Sequence, residues 1–429
     1  MDSFQEKLQE VLLPIATKLY SNSHLAALKN GMTITIPLMI IGGFAMLLAI
    51  PPVPADTTNA LLLAWKSFAT QYNEPLMALY NLSIGAISVF VVLGVSNSLA
   101  HEYKLDRMSC AITSLFLFWL TSAAPIAVEG FGQLSSMTFL GAQGMFYAII
   151  VAFVTCDVMK FFFDKNIKIK MPEQVPPNVT APFEALIPAV VLTLLFLIFN
   201  IICINLTGGN LAALTGNIVK PLISASSSLP AVIFLSILLS LFWFFGIHGN
   251  NMISGVLTPI TAANLALNAD YYINGVGSPS PLSGAFMTIF GNWMSYPAMM
   301  VCFFLIAKSA QLKSLRKIAL VPDIFNINEP LTFGVPIVMN VLLALPIMIA
   351  NVITCTIAYL VMSANLVNNI YITLPFTIPG IFNLFLGTGG DFRSIILWIV
   401  LFILDIIILL PFIKTYDNQL IKEENNATK

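Results

Sequence analysis

From Gly31 onward the chain repeats one arrangement, a run of some twenty apolar residues followed by a short polar connection. Such runs lie near 31–50, 76–99, 108–126, 137–159, 183–206, 229–247, 285–307, 336–362 and 392–413. A helix crossing a ~30 Å hydrocarbon core needs about 20 mostly apolar residues, so each run predicts a crossing. A shorter and more polar run at 251–267 is ambiguous. Two further segments, 318–335 and 371–391, are apolar but broken by Pro, Gly and Asn. Non-helical backbone at membrane depth survives only where protein buries it or it lines a wet cavity. Both are expected to be re-entrant hairpins, and broken elements of this kind point to a transport site. Residues 1–29 and 208–225 read as amphipathic helices lying on the membrane surface.

Basic residues set the direction of the crossings. The N-terminal stretch holds Lys7, Lys18 and Lys29, and the next connection only Lys66. Lys104 and Arg107 follow, then a connection without bases at 127–136, then Lys160, Lys165, Lys168 and Lys170. The alternation places the N-terminus in the cytoplasm. Lys308, Lys313, Arg316 and Lys317 belong on the same side, which requires 251–267 to cross. The expectation is about ten crossings with both termini cytoplasmic. A polar linker at 164–182, with Pro172, Pro176, Pro177 and Pro182, divides the first five from the rest.

Composition sharpens this. Hydrophobic residues make up 58% of the 429 and charged residues 9%, and the mean hydropathy is +0.89. Soluble domains run near a quarter charged, so a soluble fold is excluded and the fold class is an all-α polytopic membrane protein. A net charge of −1 removes a nucleic-acid partner held by a basic surface. Cys110, Cys156, Cys203, Cys302 and Cys355 lie far apart in apolar runs, which reads as buried hydrophobes. No metal ligand set and no cofactor motif is expected. The first residues carry acids among their bases and show no cleavable signal pattern.

Few groups remain for chemistry. His248 sits in FWFFGIHGNN, with no formal charge between Lys220 and Asp270. Gly249 lets backbone approach a ligand and Asn250 offers both donors and acceptors. Glu329 sits in FNINEPLTFG, and no charge follows it until Asp391. Its carboxylate can accept hydroxyl hydrogen bonds or take a hydroxyl proton, with Asn326 and Asn328 extending a polar wall. The bland readings are a histidine satisfying a helix end and a carboxylate in a solvated loop. Asp405, alone in an apolar run, reads as helix packing before proton relay. Asp391 and Arg393 read as a structural clamp. Trp243, Phe244, Phe245, Trp293 and Phe376 are candidates to stack on sugar rings, although most aromatics here face lipid or pack helices. One His and one Glu in a mostly uncharged site suit a neutral, hydroxyl-rich solute better than an ion.

Several stretches resemble enzyme IIC of the bacterial phosphoenolpyruvate-dependent phosphotransferase system, in its lactose/cellobiose/diacetylchitobiose family. They are MPEQVPPNVTAPFEALIP at 171–188, FFGIHGNN at 244–251, FNINEPLTFGVPIVMN at 325–340, LGAQGMFYAII at 140–150 and LGTGGDFRS at 386–394. The resemblance implies a homodimer in the bacterial cytoplasmic membrane. It implies a dimer-forming half at 1–206 and a transport half at 207–429 that moves like an elevator. A disaccharide is carried inward, and its 6-hydroxyl takes a phosphoryl group from a phosphocysteine on a IIB subunit. IIA, HPr and enzyme I act upstream of that subunit. By motif match His248 and Glu329 fall where the family's sugar-binding His and Glu lie. Pro375-Phe376-Thr377 stands where the family often has Pro-Trp-Thr, which removes one indole N–H donor.

No cysteine here lies in a soluble, phosphorylatable setting, so this chain is expected to position the acceptor hydroxyl while another carries the donor. The alternatives are a proton-coupled sugar transporter, with Asp405 or Glu329 as coupling acid, and a membrane receptor. Phosphoenolpyruvate dependence separates the first from the second, and saturable uptake separates both from the third.

Overall fold

The computed structural model describes residues 21–51, 53, 56–172, 175–335 and 337–427. Lys7, Lys18 and most of the amphipathic stretch expected at 1–29 lie outside the described residues. In chain order the helices are α1 Ser23–Ala49, α2 Ala60–Gln71, α3 Asn73–Glu102, α4 Arg107–Ser122, α5 Met145–Asp164, α6 Pro177–Thr207, α7 Leu211–Ser226 and α8 Leu229–Phe244. They continue as α9 Gly249–Ile273, α10 Phe286–Ile306, α11 Ala310–Ile324, α12 Glu329–Gly334, α13 Val341–Ser363, α14 Gly380–Gly387 and α15 Phe392–Ala427. A two-stranded hairpin, β1 Ile126–Val128 and β2 Gly132–Leu134, occupies the connection after α4.

Among the described residues, eight helices are long and apolar enough to cross a membrane, or nine if the bent pair α7–α8 counts as one. The runs at 108–126 and 229–247 fold as α4 and α8, each of 16 residues. At 1.5 Å per residue these reach only about 24 Å, short of a full hydrocarbon core. The ambiguous run at 251–267 is part of a continuous 25-residue helix, α9. Its polar positions are accommodated because Asn264 and Asn268 are buried inside protein rather than facing lipid. The polar linker is shorter than its composition suggests. α6 starts at Pro177 and runs through Pro182 and Pro188. A proline in the first turn removes only an N–H that has no intrahelical partner.

The chain forms two compact units. One gathers Met1–Met46, Tyr72–Ser224 and Ser254–Ala266; the other gathers Leu47–Gln71, Ala225–Ile253 and Leu267–Lys429. In the first, α3 is packed by α1, α4 and α5. All five cysteines are buried and free. In the second, α10, α13 and α15 enclose a core of Tyr296, Met299, Phe303, Leu343, Leu409 and Ile413. Leu331 and Val335 of the first broken segment belong to that same core.

Both broken segments fold back on themselves. In the first, Gln311 Nε2 of α11 donates to the Gly334 carbonyl at the end of α12, at 3.3 Å. Its outgoing arm is therefore helical from Ala310, earlier than the 318 expected from composition. In the second, the stretch before α14 is irregular, neither helix nor strand, and the Tyr371 and Ile372 amides donate to the Gly387 carbonyl at 3.0 and 3.2 Å.

Candidate transport site

The turn carrying His248 is built by helix-end chemistry. α8 ends at Phe244 with Phe245 as its C-cap, and Gly246 takes φ +73°, the left-handed conformation that glycine adopts without penalty. The Ile247 amide then donates to Phe242 O at 2.9 Å and the Gly246 amide to Trp243 O at 3.0 Å. These two bonds are the Schellman arrangement that satisfies terminal helix carbonyls. One residue on, His248 is the N-cap of α9, and its Nδ1 accepts the Asn251 amide at 3.3 Å. A neutral ring accepting at Nδ1 carries its proton on Nε2, which makes Nε2 a donor. Trp243 lies beside it, ring centroids 4.6 Å apart, and its indole N–H is buried without a partner among the described residues.

Gly249 serves packing. A Cβ there would lie 2.7 Å from the Leu239 carbonyl oxygen. The room is taken by α8, so α9 can start close against it. Asn250 is half-buried in the first turn of α9.

The second group of residues lies in the first hairpin. Between α11 and α12 the chain reverses at Asn326, whose φ is +61°, a conformation asparagine tolerates better than most residues. Its amide Nδ2 donates to Phe376 O and Ile378 O, both at 2.7 Å. Asn326 thus joins the two hairpins and spends its donors on backbone, leaving Oδ1 as its remaining hydrogen-bonding group. Glu329 opens α12 and is exposed; the amide groups of that first turn favour its negative charge. Asn328 points inward, its Oδ1 buried without a partner among the described residues. Behind it Thr332 Oγ1 donates to Tyr296 OH at 3.2 Å.

Asn326, Ile327, Glu329, Pro330 and Phe376 line one open cleft of ≈ 670 Å³, within the ~300–1,000 Å³ typical of small-molecule sites. Three sequence-derived candidates therefore meet: an acceptor amide, a carboxylate and the ring of Phe376, which is 60% exposed. His248, Gly249 and Asn250 do not line this cleft. They stand at the junction of α8 and α9, which is tied to the stretch after α12 where the Met339 amide donates to Phe244 O at 2.8 Å and Val338 lies against Gly246.

Sequence reasoning missed a buried acid on the same hairpin. Asp323 is 2% exposed and its Oδ1 has no partner among the described residues. An acid directly after Pro322 and three residues before Asn326 reads as part of a solvated turn, and nothing local signals its burial. Also missed was the set of amides that holds the second hairpin. Asn268 Nδ2 lies 2.8 Å from Ser280 O and 3.0 Å from Ile370 O, and Asn369 Nδ2 donates to Ser278 O at 2.6 Å.

The other ionisable candidates have structural partners. Ser295 Oγ lies 2.6 Å from Asn351 Oδ1 and 3.1 Å from Asp405 Oδ2, so Asp405 ends a buried chain between helices. Asp391 accepts from Arg393 Nε and Nη2 at 2.9 Å and from the Asn368 amide at 2.9 Å. Burial pushes its carboxyl up, but the Arg393 guanidinium and these amides hold it below its usual value. Among the described residues no group of three His, Cys, Asp or Glu side chains is arranged to hold a metal ion.

A predominantly helical, multi-pass fold with two infolded hairpins around an acceptor-lined cleft defines a membrane transporter of small polar solutes. Residues 29–351 match the family described as "Phosphotransferase system, EIIC", and the chain belongs to that family of sugar permease components. It is 31% identical to the lichenan permease IIC component of Bacillus subtilis (strain 168), over 99% of this chain and 96% of that one. It is 30% identical to the cellobiose-specific EIIC component of Geobacillus stearothermophilus, over 99% and 96%. Among solved structures it is similar to the transporter ChbC, the IIC component of the N,N'-diacetylchitobiose-specific phosphotransferase system. The TM-score is 0.88 at 31% identity, covering 97% of this chain and 99% of that one.

Proposed function

We propose that this permease binds a β-linked disaccharide of the cellobiose or diacetylchitobiose type, carries it inward and presents its 6-hydroxyl to a phosphorylated IIB subunit. The observation that carries the proposal is the cleft in which Glu329, Asn326 and Phe376 meet. An acceptor amide and a carboxylate select a ligand that donates, as hydroxyls do, and an exposed ring offers a face to a pyranose. Two of the relatives are named for disaccharides of that class, cellobiose and N,N'-diacetylchitobiose.

The chemistry assigned to Glu329 is proton removal. As the 6-oxygen attacks phosphorus on the partner's phosphocysteine, its O–H proton passes to the Glu329 carboxylate. The P–S bond breaks and the sulfur leaves as thiolate. The His248 Nε2–H orients the sugar from the neighbouring turn. In this reading both termini and the 308–317 basic cluster face the cytoplasm of a bacterial cytoplasmic membrane. The chain works as a homodimer, and 207–429 moves past 1–206 in elevator fashion. IIA, HPr and enzyme I supply the phosphoryl group to IIB.

The test uses inverted vesicles containing this chain, the soluble phosphotransferase proteins, and labelled cellobiose, diacetylchitobiose and lactose. Sugar phosphate that requires both phosphoenolpyruvate and this chain is expected from at least one β-linked disaccharide. Free sugar accumulated on a proton gradient without phosphorylation would contradict the proposal. His248→Ala is expected to weaken sugar binding, and unchanged binding would remove its assignment.

A further inference from the structure

α15 is longer than a membrane needs. Its 36 residues extend about 54 Å, against a hydrocarbon core of ~30 Å. The surplus, Lys414–Ala427, is polar in composition, yet Tyr416, Asp417 and Leu420 are buried. Tyr416 and Leu420 share a core with Leu312 and Ala319 of α11 and with Leu331 and Val335 around α12. The end of α15 is therefore packed on the hairpin that carries Glu329.

Two of its three carboxylates, Asp417 and Glu424, complete the start of that hairpin. The first amides of a helix have no intrahelical acceptor. At α11 every one is bound. Asp417 Oδ2 accepts the Lys308 amide and Oδ1 the Ser309 amide, both at 2.9 Å. Glu424 Oε1 accepts the Ala310 amide at 2.9 Å and the Gln311 amide at 3.3 Å. Ser309 Oγ accepts the Leu312 amide at 3.4 Å. Carboxylates at a helix N-terminus are favoured by its dipole as well as by these bonds.

The connection then passes to the cleft. Gln311, held through its backbone by Glu424, donates its side-chain amide to the Gly334 carbonyl. Gly334 lies tight against Leu315, where an added Cβ would come within 2.5 Å of Cδ1. Gly334 and Glu329 are the two ends of the six-residue α12. A shift of α11 at its first turn thus carries α12 with it.

We propose that Asp417 and Glu424 are positioning residues for Glu329, so that the end of α15 sets the sugar-binding position of the first hairpin. The inference rests on the reading of Glu329 as a sugar-binding group. Loosening the clamp lowers the population of the competent hairpin and so weakens apparent affinity, while sugar at saturation restores it.

The experiment compares Glu424→Gln and Asp417→Asn with the unaltered full chain in the vesicle assay, using the disaccharide that yields product. Amide hydrogen exchange of the sugar-free proteins is followed over 308–335. The expected result is a KM raised about five-fold per variant, the size of one capping interaction, with kcat within about two-fold. Exchange should quicken at 326–335 as well as at 308–312. An unchanged KM, or quickening confined to 308–312, would overturn the inference even if thermal stability falls. Glu424 is half-buried where Asp417 is buried, so its variant keeps the test open if Asp417→Asn fails to fold. The exchange arm stands if no tested sugar is phosphorylated. A Glu329→Gln chain with unaltered KM and kcat would remove the site reading instead.

Discussion

The two hairpins of the second unit reach similar ends by different means. The first is helical in both arms, and α11 and α12 bond most of their own backbone. Its exceptions are the leading amides of α11, supplied with acceptors by Asp417, Glu424 and Ser309. The second enters through irregular chain, and its carbonyls are taken by side chains, most of them from outside the hairpin. Ile370 O is bound by Asn268 and Ser283, Pro375 O by Asn383, and Phe376 O and Ile378 O by Asn326. A buried carbonyl without a partner is costly, so each of these amides stands in for a missing helix turn. The first hairpin should therefore tolerate loss of a side chain from its bend better than the second tolerates loss of an amide from its walls.

Asn268→Ala should break this comparison most severely. It removes a buried amide that contacts both Ser280 O and Ile370 O, at a cost of about 3 kcal/mol from unsatisfied groups. Thermal unfolding and exchange at 368–374 would measure it, and Asn268→Asp should not restore it because both partners are acceptors. Next comes Asn326→Ala, which severs the link between hairpins and places alanine at φ +61°. A loss of about 2 kcal/mol is expected, with exchange rising at 376–378 rather than within α11.

Phe376→Trp is a smaller change that should strengthen sugar binding a few-fold, on the order of 1 kcal/mol, by adding an indole donor to the exposed ring. Titration with cellobiose would show it. Smallest is the pH response of the clamp at the end of the second hairpin. Asp391 has a depressed carboxyl value in the fold, so its contribution is fully present above about pH 4 and is lost as pH falls through the depressed value. Arg393→Ala should weaken that acid-side dependence, leaving the part held by the backbone amides of Asn368 and of residue 393.

The membrane fold was legible because long apolar runs have few other solutions. The two broken segments were legible because Pro322, Asn326, Pro330, Pro375 and Pro379 interrupt sequences too apolar for surface loops. α2 was not, since its single apolar stretch with Lys66 resembles a connection, and β1–β2 fell in a connection read only for its lack of bases. α9 was underread because Asn250, Asn251, Asn264 and Asn268 lower its hydropathy, although Asn264 and Asn268 are enclosed by protein. Asn326, Glu329 and Phe376 were named from sequence, and the structure places them on one cleft. The amide set around Ile370 was beyond reach, because Asn268 and Ile370 are 102 positions apart. Asp417 and Glu424 were invisible for the same reason, more than a hundred positions from the amides they bind.

The central claim is that Glu329 handles the sugar hydroxyl at the moment of phosphoryl transfer. It is tested most directly by Glu329→Gln in vesicles supplied with phosphorylated IIB, with disaccharide binding and sugar phosphate formation measured on the same preparation. Glutamine keeps the size and an acceptor oxygen but cannot take the proton. The account predicts binding reduced about ten-fold and product formation at saturating sugar reduced at least about a hundred-fold, the typical share of general base catalysis. Product formed at the unaltered rate once sugar is saturating would contradict it.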